Sequence, residues 1–211
     1  MNLYINEQYR YLNIAVFASG RGSNLIAIDN YIQSKEKPFG KISLLVTNKT
    51  KCDALNYASE NNIPSLCISQ TQFTDLNGYS EKMMFELLSY KIDFIVLAGY
   101  LKKIPIEVIK KFKNRIINIH PALLPKFGGE GMYGINIHIA VINAKEKISG
   151  VTIHYVSENY DEGEIISQSN INIEENETPE SLNQKILILE HQIYPKVIEK
   201  LCEEILNFPT K

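Results

Sequence analysis

The sequence predicts an α/β fold: a doubly wound, mostly parallel sheet with helices on both faces and a late antiparallel strand pair. Short apolar runs alternate with stretches of helical spacing from residue 12 to residue 120. Those runs are apolar throughout, as strands covered on both faces must be. Beyond residue 149 two extended segments are joined only by residues 157–163, too short a link for the crossover that a parallel pair requires. Right-handed crossovers would wind the earlier units into a Rossmann-like arrangement.

Each element has its own signal. Residues 12–17 form an apolar strand ending in the turn Ala18-Ser19-Gly20-Arg21-Gly22-Ser23-Asn24, after which Leu25, Ile28 and Ile32 recur at helical spacing. Residues 42–46 give a second strand, 53–61 a helix and 65–68 a third strand. Tyr79, Met83, Leu87 and Tyr90 mark a helix over 78–90, followed by a strand at 93–97. Pro105 opens a helix through Val108 and Phe112, and 115–119 is a fifth strand. Residues 121–134, with two prolines and four glycines, form a loop before a helix at 136–144. The extended segments are 150–156 and 164–173. Thr178 caps a last helix with Pro179 in its first turn, and Leu182, Ile186, Leu189 and Ile193 line one face. Pro195 is expected to kink or restart that helix. The organisation expected is a leader (1–11), one domain (12–206) and a tail (207–211), the domain divided at residue 120.

Composition narrows the class. With 45% hydrophobic and 22% charged residues the chain has the material for a sizeable core and is not disordered. A formal charge of −2 and the lack of a basic block argue against a nucleic-acid partner. The polar start is not a signal peptide, and no apolar run nears the roughly 18–20 residues that span a bilayer. Cys52, Cys67 and Cys202 are widely spaced and odd in number, which suits neither a disulfide framework nor a zinc site. The expectation is a cytoplasmic protein without metal or membrane contact, monomeric or homodimeric.

Two places carry chemistry. A glycine-containing turn between a first strand and its helix aims main-chain N–H groups at an anion. Here Leu25 replaces the third glycine of a dinucleotide fingerprint, and Ser23 and Asn24 suit a phosphate and a helix cap equally. On the fifth strand Asn118 and His120 project from one face at the carboxyl end, where open α/β sheets bind ligands. An amide and an imidazolium there can both donate to a developing oxyanion. Asp161, between the two late segments, is the best carboxylate partner, although Asn-Tyr-Asp-Glu-Gly is also what a tight turn looks like. His138 is expected on a helix surface or behind the site, His154 at the cleft or satisfied by neighbours, and His191 at the edge of an apolar stripe.

The chain resembles the folate-dependent formyltransferases, most closely the phosphoribosylglycinamide formyltransferases. The stretches that carry the resemblance are Ala18-Ser19-Gly20-Arg21-Gly22-Ser23-Asn24-Leu25, Val96-Leu97-Ala98-Gly99-Tyr100, Asn118-Ile119-His120-Pro121-Ala122-Leu123-Leu124-Pro125, Gly150-Val151-Thr152-Ile153-His154-Tyr155-Val156, Tyr160-Asp161-Glu162-Gly163 and Glu190-His191-Gln192-Ile193-Tyr194-Pro195. They run in family order over nearly the whole chain from residue 12.

The resemblance implies formyl transfer from 10-formyltetrahydrofolate to the amine of 5-phosphoribosylglycinamide, with Asn118, His120 and Asp161 as the catalytic trio. It places the substrate phosphate at Gly22, Ser23 and Asn24 and the glycinamide amine near Glu190. It sets the folate ring between Leu101, Lys102, Lys103 and Ile104 on one side and Ser157, Glu158, Asn159, Tyr160 and Asp161 on the other. In the implied mechanism Asp161 approaches on ligand binding and its charge outweighs burial, so that His120 is an imidazolium. Three features depart from the family: Lys103 replaces an apolar residue, Leu76 falls near an arginine position, and 128–134 is longer and richer in glycine, which suits a mobile flap or an irregular surface loop. Among relatives, methionyl-tRNA formyltransferases carry a further C-terminal domain and formyltetrahydrofolate deformylases an N-terminal one. A non-enzymatic nucleotide-binding module using the first turn alone is the alternative of another class.

Overall fold

The structure is a computed structural model that describes residues 10–207, so most of the expected leader and tail lies outside the described residues. Its strands are β1 (Leu12–Phe17), β2 (Gly40–Thr47), β3 (Ser65–Cys67), β4 (Phe94–Leu97), β5 (Ile116–His120), β6 (Ile148–Tyr155) and β7 (Ile165–Asn172). The helices are α1 (Ser23–Gln33), α2 (Asp53–Glu60), α3 (Leu76–Ser89), α4 (Ile106–Lys111), α5 (Ile135–Asn143) and α6 (Pro179–Asn207). All seven strands join one sheet in the order β3-β2-β1-β4-β5-β6-β7. β1 to β5 pair in parallel, while β6 is antiparallel to β5 and β7 to β6. The late pair therefore extends the parallel sheet rather than forming a separate ribbon.

Side-chain alternation divides the core between the sheet's two faces. Leu12, Ile14 and Val16 of β1 pack with α1, α2, α5 and α6, whereas Ala15 and Phe17 pack with α3 and α4. On β5, Ile117 and Ile119 join the first cluster and Ile116 the second. Asn118 and His120 consequently lie on the α3/α4 side, at the carboxyl end of the strand.

Pro195 does not restart the last helix: α6 runs as one element from Pro179 to Asn207. Proline removes one helical hydrogen bond and crowds the preceding turn, at a cost of about 3 kcal/mol. Leu182, Ile186, Ile198 and Leu201, all buried on the sheet, contribute about 1.5–3 kcal/mol each and outweigh it. Tyr194 adds a fixed point. Fully buried, its hydroxyl lies 2.9 Å from the Leu97 carbonyl and 3.3 Å from that of Ile117, sharing one proton between the last residue of β4 and the second of β5. One turn earlier on the same face stands Glu190, which α6 thus holds over the strand ends.

Candidate active site

A cavity of about 560 Å³ opens over the carboxyl ends of β1, β4 and β5. It lies where an open α/β sheet leaves strand ends uncovered. The turn at Gly22, the end of β5, the 157–161 tip and α6 all line the cavity.

At the first turn Gly22 is the N-cap of α1, with φ 73° and no side-chain capping bond. A Cβ there would lie 2.9 Å from the Cα of Ala54, so the left-handed turn and the close approach of α2 both require glycine. The first helical N–H bond is that of Ile26 to the Gly22 carbonyl, at 2.9 Å, which leaves the preceding N–H groups without helical partners. Neither Ser23 nor Asn24 serves as the cap. The Asn24 amide instead donates to Glu190 Oε2 at 2.8 Å, and its own Oδ1 is buried without a partner. Burial pushes the Glu190 carboxyl up to about 7 against the opposing pull of that hydrogen bond.

Across the cavity, Asn118, His120, His154 and Asp161 form one polar cluster. His120 Nε2 lies 2.8 Å from the Phe127 carbonyl, which can only accept, so Nε2 carries the proton. Its Nδ1 faces Asp161 Oδ2 at 3.4 Å. The second carboxylate oxygen lies 3.5 Å from the Asn118 amide nitrogen and 3.6 Å from His154 Nε2. Gly129 N–H donates to Asp161 Oδ2 at 2.9 Å, bringing the glycine-rich segment onto the cluster. Asp161 stands against His120. Its φ of 58° turns the carboxylate inward, and Gly163 closes the tip so tightly that a Cβ would meet the Tyr155 carbonyl oxygen at 1.6 Å.

The protonation balance differs from the expected one. Burial dominates at His120 and lowers its pKa, outweighing the pull of Asp161 and of the Phe127 carbonyl. The ring is 3% exposed, and so little water reaches it that the uncharged form is favoured. For Asp161 burial acts upward, but the neighbouring His154 and His120 rings and the Gly129 N–H together hold the carboxyl below the ordinary aspartate value. The site thus pairs a neutral imidazole with a carboxylate.

Other residues take places that the sequence left open. His154 is the cross-strand partner of Asn118 in the β5–β6 register. Its Nδ1 donates to the Tyr155 carbonyl at 2.9 Å, leaving Nε2 facing the Asn118 amide at 3.2 Å. The signal was the shared face of Thr152 and His154, but only the register brings it to Asn118. His138 is not a surface residue: it is 1% exposed and lines the cavity, because the inner face of α5 packs on α6. Its Nδ1 has no partner. Leu101, Lys102, Lys103 and Ile104 form one wall and Ser157, Glu158, Asn159, Tyr160 and Asp161 another. Lys103 Nζ lies 5.0 Å from the centre of the Tyr160 ring. Leu76 opens α3, is 62% exposed and does not line the cavity. Among the described residues no group of three or more His, Cys, Asp or Glu side chains is placed to hold a metal ion.

The same architecture recurs in known proteins. Residues 12–198 match the formyl transferase family model. The chain is 44% identical to the chloroplastic phosphoribosylglycinamide formyltransferase of Arabidopsis thaliana over 96% of its own length and 70% of the relative's. It is 36% identical to the phosphoribosylglycinamide formyltransferase of Bacillus subtilis, over 89% of this chain and 93% of that one. The crystal structure of the Bacillus halodurans phosphoribosylglycinamide formyltransferase superposes with a TM-score of 0.86 at 34% identity, covering 94% of this chain and all of that one (100%). Sequence and fold agree: the chain belongs to the formyl transferase family, within its phosphoribosylglycinamide formyltransferases.

Proposed function

We propose that the protein transfers a formyl group from 10-formyltetrahydrofolate to the amine of 5-phosphoribosylglycinamide, a step of purine biosynthesis. The observation that carries this reading is the Asn118–His120–Asp161 cluster opening into the same cavity as the Gly22 turn. The phosphate binds the free N–H groups at Gly22, Ser23 and Asn24, and Glu190 faces the amine end of the substrate. Residues 12–120 supply the phosphate end of a single domain, and 121–206 most of the folate end. The folate ring lies between the walls at 101–104 and 157–161.

The uncharged amine attacks the formyl carbon, forming a C–N bond and an oxyanion. The Asn118 amide and the His120 Nε2–H donate to that oxygen, the latter leaving the Phe127 carbonyl. Negative charge beside the ring then favours the imidazolium that burial alone disfavours. The proton leaving the attacking nitrogen passes by way of His120, or a water held by Asp161, to the departing folate nitrogen. The C–N bond to folate breaks, releasing tetrahydrofolate and the formylated ribonucleotide, with no covalent enzyme intermediate. The proposed compartment is the cytoplasm, where the three free thiols stay reduced, and the proposed assembly is a monomer or homodimer without nucleic-acid or membrane partners.

The test is incubation with 10-formyltetrahydrofolate, with and without 5-phosphoribosylglycinamide. Formylated ribonucleotide and tetrahydrofolate, both dependent on the acceptor, are expected. Formate release without acceptor identifies a deformylase, transfer only to charged tRNA a tRNA formyltransferase, and binding without turnover a nucleotide-binding module.

A further inference from the structure

Tyr160 stands where three loops of the cavity meet. Lys103 Nζ lies over its ring, 5.0 Å from the centre, within cation–π range. The charge of Glu130, on the glycine-rich segment, reaches the Tyr160 phenol. Burial, the largest influence, raises the phenol's pKa, so the hydroxyl is neutral at physiological pH. The next residue is Asp161 at φ 58°, a conformation that residues other than glycine keep only when their surroundings hold them. On its far side the turn is closed by Gly163 against Tyr155. Asp161 is therefore suspended between two anchors, and the Lys103 ammonium grips one of them. An apolar side chain at 103 would cover the wall equally well but could not bind the ring in this way.

We propose that Tyr160, clasped by Lys103, is a positioning residue that holds the Asp161 carboxylate against His120. The assignment rests on the reading of Asp161 as a catalytic group. The groups facing that carboxylate are His120 Nδ1 at 3.4 Å, His154 Nε2 at 3.6 Å, the Asn118 amide at 3.5 Å and the Gly129 N–H at 2.9 Å. None of them comes from the 101–104 loop, so Lys103 acts on Asp161 only through Tyr160.

The test combines steady-state kinetics with NMR titration of His120 in the ligand-free protein, for Tyr160→Leu, Lys103→Met, Lys103→Arg and the double variant Lys103→Met/Tyr160→Leu. Leucine and methionine keep the cavity wall apolar and filled, so burial of His120 is preserved. Misplacing a reacting group slightly is costly, and Tyr160→Leu should lower kcat about 10-fold, a loss separate from the rise in the KM for folate that the altered wall produces. The His120 titration should move to lower pH as the carboxylate drifts away. Lys103→Met should lower kcat about 3-fold, and Lys103→Arg should restore it, since guanidinium also stacks on an aromatic face. The double variant should be no worse than Tyr160→Leu. A raised KM for folate with kcat and the His120 titration unchanged, or additive losses in the double variant, would overturn the clasp and leave both residues as ligand wall. If Tyr160→Leu does not fold, the Lys103→Met and Lys103→Arg pair decides the matter alone. The titration needs no substrate, so the clasp stands or falls separately from the proposed reaction.

Discussion

The turn at Gly22 and the cluster at the end of β5 face the same cavity, yet they are built from different atoms. At the turn the ligand-facing groups are main-chain N–H groups, aimed by a left-handed glycine and the start of α1. At the cluster they are four side chains drawn from β5, β6 and the tip between β6 and β7. The turn offers fixed partial charges, which attract an anion equally in ground and transition states. The cluster is titratable, and its charge can change during the reaction. The first region suits affinity and the second rate, and that division can be broken experimentally.

The largest effect is expected at Asp161. Asp161→Asn should lower kcat by about 100-fold or more while substrate affinity changes little, the pattern of a group that acts in the transition state. It should also move the His120 titration further down, because burial would then act without the opposing carboxylate. Steady-state kinetics and NMR check both. Near-normal turnover with an unmoved titration would return Asp161 to the role of a turn residue.

Next comes Gly22→Val, which strains the left-handed turn and drives a side chain into Ala54. The KM for the ribonucleotide should rise about 10-fold or more, on a strain of about 1–2 kcal/mol plus the clash. The KM for folate should hardly move. Equal effects on both substrates would show that the turn serves the whole fold and not one ligand.

Glu190→Gln sharpens the comparison through stability. The folded Glu190 pKa of about 7 lies above its unfolded value, so the folded state holds a proton that the unfolded chain has lost. That contribution is complete below about pH 4 and is lost as pH rises through about 7. Wild-type melting temperature should therefore fall relative to Glu190→Gln between about pH 5 and pH 8, by the equivalent of about 3 kcal/mol at most. Parallel pH profiles for the two proteins would mean that Glu190 is charged in its buried site. The smallest expected effect is none at all: exhaustive chelation should leave formyl transfer unchanged, and loss restored by added metal would refute a purely organic cluster.

The sequence by itself determined the sheet and most of the site's vocabulary. Period-2 burial separates Ile117 and Ile119 from Asn118 and His120, and the link at 157–163 is too short for anything but an antiparallel return. These features are local, set by strand pleat and chain length, and need no knowledge of distant residues. Tertiary structure decided what depends on long-range packing. Pro195 stays inside one helix because the sheet beneath it buries side chains on both sides of the proline. His154 meets Asn118 through a cross-strand register, and His138 is buried because α5 lies on α6. The charge of His120 follows the same logic. The sequence named both opposing influences, carboxylate and burial, but their balance depends on how much water reaches a ring that only the assembled cavity encloses.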